Sequence, residues 1–243
     1  PVISVNSGSI CAGNSFTITP LGANTYTIQG GTFTVSPGST TSYTVSGTSA
    51  AGCLATNPAT STVVVNAMPS ISIYASSPSV CNGNTVTLTA SGAATYTWTG
   101  AVVNGVAFSP VATTAYSVSG TSAAGCTSSI SVVTVSVNPN PVINAVASSA
   151  TVCSGNTVTL TVTGADTYTW SNNFSGSTQT LIPVNSSTYA VTGTNSLTGC
   201  AGSSSVLSVS VMPVPTVSIA GTGTQICLGE TMTFTVNGAS TYS

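Results

Sequence analysis

Apolar and polar residues alternate with a period of two along most of this chain. Thr85-Val86-Thr87-Leu88-Thr89 and Thr157-Val158-Thr159-Leu160-Thr161 set aliphatic side chains on one side and threonine on the other, and Thr231-Met232-Thr233-Phe234-Thr235-Val236 does the same. Strict alternation specifies a half-buried strand; an amphipathic helix would repeat its apolar positions every three to four residues. Valine-rich runs over 132–137 and 206–211 supply further strands. β-branched residues dominate these runs and fit a pleated surface better than a helix. Gly, Asn, Ser and Pro fill the intervals, as turns require. About seven short strands in each stretch of roughly 70 residues predict an all-β fold built of sandwiches.

The pattern repeats. Four segments open at Pro1, Pro69, Pro141 and Pro215, which predicts three domains over 1–68, 69–140 and 141–214 and the start of a fourth over 215–243. Each carries a Cys-x-Gly-(Asn/Glu)-(Ser/Thr) element, beginning at Cys11, Cys81, Cys153 and Cys227, with intervals of 70, 72 and 74 residues. Those intervals suit a small domain rather than a single hairpin. A second signature follows: Tyr26-Thr27-Ile28, Tyr96-Thr97-Trp98, Tyr168-Thr169-Trp170 and Tyr242-Ser243. A third reads Tyr43-Thr44-Val45-Ser46-Gly47, Tyr116-Ser117-Val118-Ser119-Gly120 and Tyr189-Ala190-Val191-Thr192-Gly193. A second cysteine closes each complete segment, at Cys53, Cys126 and Cys200. Regular recurrence of Trp98, Trp170, Tyr43, Tyr116 and Tyr189 places these aromatics in the cores, against the alternative of a surface platform for stacking sugars.

One disulfide per domain is the simplest use of the cysteines: Cys11 with Cys53, Cys81 with Cys126, and Cys153 with Cys200. Each such loop encloses more than 40 residues, so a bridge contributes about 4 kcal/mol on chain-entropy grounds. That matters in domains too small for a large core. Zinc is the competing reading, but two thiolates without histidine make a poor site. Cys227 is left unpaired, its partner expected about 45 residues further on by the repeat spacing. Either the polypeptide continues there or another copy supplies the missing strands.

Composition then removes most chemistry. The 243 residues include no Lys, Arg or His, and Asp166 and Glu230 are the only acidic side chains. General acid–base catalysis, imidazole metal capture and Schiff-base formation lack their residues. The two carboxylates fall in different segments, so no enzyme, no catalytic, cofactor-binding or metal-binding residue and no cofactor is expected. Calcium rigidification would need more carboxylates. A net charge of −2 gives no steering toward nucleic acid or anionic lipid, and no run is long enough to cross a bilayer as a helix. Weak charge repulsion eases association between copies. Without Lys or Arg the chain also offers trypsin no cleavage site.

The order Cys-x-Gly-Asn-Thr-Val-Thr-Leu-Thr, Gly-Ala-x-Thr-Tyr-Thr-Trp, (Ser/Thr)-x-Tyr-x-Val-x-Gly-Thr and Gly-Cys resembles the Ig-like repeats of large secreted surface proteins of Bacteroidota, best in the second and third segments. The resemblance implies tandem Ig-like sandwiches at the cell surface or outside it, serving as adhesin stalks or spacers. It also implies a corner role for the late tyrosines Tyr43, Tyr116 and Tyr189. Ile28 stands where tryptophan is expected, and Val45, Val118 and Val191 stand where antibody domains carry their second cysteine. The disulfides should therefore clamp sandwich ends rather than centres. Short proline-containing junctions around Pro69, Pro139 and Pro213 hold the chain extended. The expected function is a structural segment of an extracellular filament or adhesin stalk, partnered by neighbouring repeats or by copies of itself. The alternative is an adhesive module, binding a glycan or a protein through loops such as 172–175.

Overall fold

The structure, a computed structural model, describes residues 1–204 and 206–242, and every regular element among them is a strand. The first segment holds β1 (Ser4–Val5), β2 (Gly8–Cys11), β3 (Phe16–Thr17), β4 (Pro20–Leu21), β5 (Thr25–Ile28), β6 (Thr34–Val35), β7 (Thr41–Thr48) and β8 (Ala59–Asn66). The second holds β9 (Ser72–Ala75), β10 (Ser79–Cys81), β11 (Val86–Ser91), β12 (Thr95–Trp98), β13 (Ala107–Phe108), β14 (Thr114–Thr121) and β15 (Ser131–Asn138). The third holds β16 (Asn144–Ala147), β17 (Thr151–Cys153), β18 (Val158–Thr163), β19 (Thr167–Trp170), β20 (Thr178–Leu181), β21 (Ser187–Tyr189), β22 (Val191–Thr194), β23 (Ala201–Ser203) and β24 (Leu207–Met212). A last hairpin pairs β25 (Ser218–Gly221) with β26 (Phe234–Asn237). The chain divides into two compact units, Pro1–Val137 and Asn138–Ser243.

The second segment has the seven strands its alternation predicts. They form a four-stranded sheet in the order β10-β15-β14-β12 and a three-stranded sheet in the order β13-β11-β9. The first segment repeats the larger sheet as β2-β8-β7-β5, with β2 parallel to β8 and the other pairs antiparallel. The third repeats the parallel pair as β17 with β24. A first-strand extension running parallel to the last strand, beside the antiparallel hairpin of the two late strands, is Ig-like topology. In the first segment the second core strand is split into β3 and β4, and Pro20, which has no N–H to donate to a ladder, is the first residue of β4.

Burial follows the alternation. Along β11, Val86, Leu88 and Ala90 point inward while Thr87 and Thr89 are half-buried, and Val158, Leu160 and Val162 do the same along β18. Among the described residues three separate apolar clusters result, one drawn from residues 3–63, one from 80–135 and one from 143–209. Each fully buried valine or leucine contributes about 1.5–3 kcal/mol relative to exposure. Trp170 is sealed in its cluster and its indole N–H donates to the Gly176 carbonyl at 2.9 Å. Trp98 is half-buried against the second cluster and donates to Asn104 Oδ1 at 3.2 Å. Tyr116 is buried, edge-on to Phe108 with ring centroids 5.2 Å apart, while Tyr43 and Tyr189 are half-buried against their clusters.

The backbone-latching tyrosines are the early ones, in the Gly-Ala-x-x-Tyr element. Tyr96 Oη accepts from the Ala93 N–H at 3.0 Å and donates to the Ala93 carbonyl at 2.9 Å. Tyr168 holds Ala165 in the same way, and Tyr26 and Tyr242 accept from Ala23 and Ala239. The preceding glycine has no substitute. Gly92 and Gly164 sit at φ +102° and +109°, and a Cβ on either would fall 2.0 Å from the carbonyl oxygen of Ser70 or Val142. The hairpin of β25 and β26 repeats this latch but buries none of its described residues; Ile219 and Phe234 stand exposed. Its second strand begins at Phe234, later than the run from Thr231 suggests.

Candidate functional site: the stapled junction between two repeats

The Cys-x-Gly-Asn element is a turn. The Asn14 N–H donates to the Cys11 carbonyl at 3.0 Å across Gly13, whose φ is +88°. Asn84, Asn156 and Glu230 close the same turn on Cys81, Cys153 and Cys227. A positive φ at the third position of such a turn favours glycine, which explains the spacing of the motif. The turn halts β2 with Cys11 directly opposite Asn66, the last residue of β8.

The second cysteine sits on a different turn, between the two long late strands. In the second segment Ser122 N–H donates to the Cys126 carbonyl at 2.9 Å, and the Cys126 N–H returns to Ser122 Oγ at 3.2 Å, with Gly125 at φ +80°. Ser49, Gly52 and Cys53 form an identical turn in the first segment. The third is one residue longer, with Asn195 in place of serine, and the Asp166 carboxylate accepts from the Ser196 N–H at 2.8 Å.

These placements overturn the pairing within segments. Cys11 marks the exit end of β8, while Cys53 lies before its entry. The eight residues of β8 separate those ends by about 26 Å, whereas bridged cysteines need Cα atoms within about 7 Å. Cys153, opposite Met212 at the end of β24, is separated from Cys200 in the same way. Cys11 is instead bonded to Cys126 in the next segment, Cα to Cα 5.5 Å, across 115 residues of sequence. Cys81 and Cys200 are disulfide-bonded as well, and Cys200 is fully buried. Cys53, Cys153 and Cys227 are exposed free thiols.

Within the first unit the bond therefore doubles the peptide connection between two sandwiches. Cys126 is fully buried, and its Sγ lies 4.0 Å from the Asn66 carbonyl oxygen, which also accepts from the Ala12 N–H at 2.9 Å. Ala124, on the cysteine turn of the second segment, shares an open groove with Gly8, Val64 and Asn66 of the first. None of the residues lining that groove is ionisable. Asn66 and the turn serines escaped the sequence reading; their signal was the placement of one cysteine before the second core strand and the other between the last two strands. Asp166 and Glu230 are both exposed and lie in separate turns.

No family model and no curated protein matches this chain. Among solved structures it is similar to a three-Ig-domain structure of titin, at 14% identity over 87% of this chain and 97% of that one, with a TM-score of 0.40. It is also similar to a Ca2+-stabilized adhesin with which an Antarctic bacterium binds ice, at 15% identity over 90% and 77% of the two chains and a TM-score of 0.38. Fibronectin(III)-like modules of Clostridium thermocellum CbhA align at 14% identity over 57% of this chain and 95% of theirs, with a TM-score of 0.29. At such scores the Ig-like assignment rests on this chain's own strand order and register.

Proposed function

We propose that the chain is a load-bearing segment of an extracellular stalk or filament, in which Ig-like repeats over 1–68, 69–140 and 141–214 act in series and 215–243 opens a further one. The observation that carries this reading is the Cys11–Cys126 bond, which ties the Cys-x-Gly turn of one sandwich to the late cysteine turn of the next. A bond inside one domain would stabilise that domain alone; a bond across a junction resists separation of neighbours. Disulfides in this role belong to an oxidising compartment, and a chain without Lys, Arg or His has little chemistry to offer beyond its covalent frame. Neighbours in sequence are the natural partners.

The test is tension applied between the two termini of the full chain. The stalk reading expects the oxidised chain to extend far less than its 243 residues permit and to hold under sustained load. A chain that extends at low force like an unfolded linker overturns it. An adhesive module would instead show itself by saturable binding on a glycan or protein array.

A further inference from the structure

Two of the three free thiols occupy the positions that are bonded in the first junction. Cys153 ends β17 opposite the last residue of β24 on a glycine turn, as Cys11 ends β2 opposite the last residue of β8. Cys53 lies on a turn with the same hydrogen bonds as the one that carries Cys126. Exposure separates the members of each pair. Cys126 is fully buried because a neighbouring repeat covers its turn, while Cys53 is exposed and Leu54 beside it is 65% exposed. The backbone is already shaped for the bond, and what is missing is the opposite half.

We propose that Cys53 and Cys153 are unfilled halves of the same inter-repeat disulfide, each a docking point for another repeat of this type. The rule is polar. A cysteine on the Cys-x-Gly turn bonds only to a cysteine on the late turn of the repeat that follows, so Cys153 and Cys227 seek late-turn partners and Cys53 seeks a Cys-x-Gly partner. Two thiols give up two protons and two electrons to a disulfide oxidant, which leaves as two thiols while the new S–S bond forms. The inference deepens the stalk reading and rests on it.

The full chain is oxidised with glutathione disulfide, digested with chymotrypsin and mapped by mass spectrometry. Links of Cys53 to Cys153 or Cys227 should exceed all like-with-like links at least fivefold, and Cys53→Ser should reduce intermolecular linkage at least fivefold. A statistical mixture of links, or undiminished linkage in Cys53→Ser, overturns the proposal. In the polypeptide recovered from its native surface, Cys153 bonded to a cysteine roughly 115 residues further along identifies the same chain as the source. Cys153 bonded to Cys53 identifies a second copy. Cys153 as a thiol, or bonded to Cys200, overturns the proposal. Statistical linkage with an intact Cys11–Cys126 bond would remove this inference and leave the stalk reading standing; absence of that bond would remove both.

Discussion

Cutting the junction bond is the most informative perturbation. Cys11→Ser removes a cross-link that closes a loop of 115 residues, which contributes about 5 kcal/mol in the chain-entropy account. Net stability runs near 0.05–0.15 kcal/mol per residue, so a segment of roughly 70 residues holds about 4–10 kcal/mol, and the loss is a large part of it. The mechanical consequence is larger still. With handles at Pro1 and at position 139 of the full chain, tension that has unfolded the sandwiches passes in the oxidised protein from Cys11 through sulfur to Cys126, and the enclosed residues cannot be drawn out. Breaking the bond releases them, adding about 380–410 Å of contour at about 3.3–3.6 Å per residue. Optical-trap extension curves of the wild type and Cys11→Ser should differ by that length, and reductant should convert the first into the second. Equal contour lengths before and after reduction would refute the force path and, with it, the stapled junction.

Three substitutions probe the sandwiches. Gly164→Ala places a Cβ 2.0 Å from the Val142 carbonyl at φ +109°, and should destabilise the third segment by about 3 kcal/mol or more, read as loss of its calorimetric transition. Trp170→Ala empties a fully buried site and should cost about 3–5 kcal/mol; Trp98→Ala, at a half-buried site, should cost clearly less in urea titrations of the two variants. Gln179 is 5% exposed, its Nε2 finds no hydrogen-bond partner among the described residues, and its Oε1 accepts from Asn172 Nδ2 at 2.9 Å. Gln179→Met should therefore raise stability by about 1 kcal/mol, and a fall in the midpoint would show that the Asn172 contact outweighs the orphaned amide.

Local pattern determined the elements of this protein. Alternation in Val86-Thr87-Leu88 already assigns a strand and its buried face, because a side-chain period of two leaves one register that buries the valines. The recurrence of glycine, tyrosine and cysteine likewise marked where the Cys-x-Gly turn and the tyrosine latch recur. The latch made by Tyr96 and Tyr168 was not legible, since it depends on a hydroxyl meeting a backbone three residues earlier in one loop conformation. Cysteine pairing was beyond the sequence for a related reason. Cys53 is nearer than Cys126 to Cys11 along the chain, but nearness in sequence is not nearness in space once β8 runs straight between them. Strand length holds apart the two cysteines of one repeat, and the packing of one sandwich on the next brings together those of two. That choice belonged to tertiary structure alone.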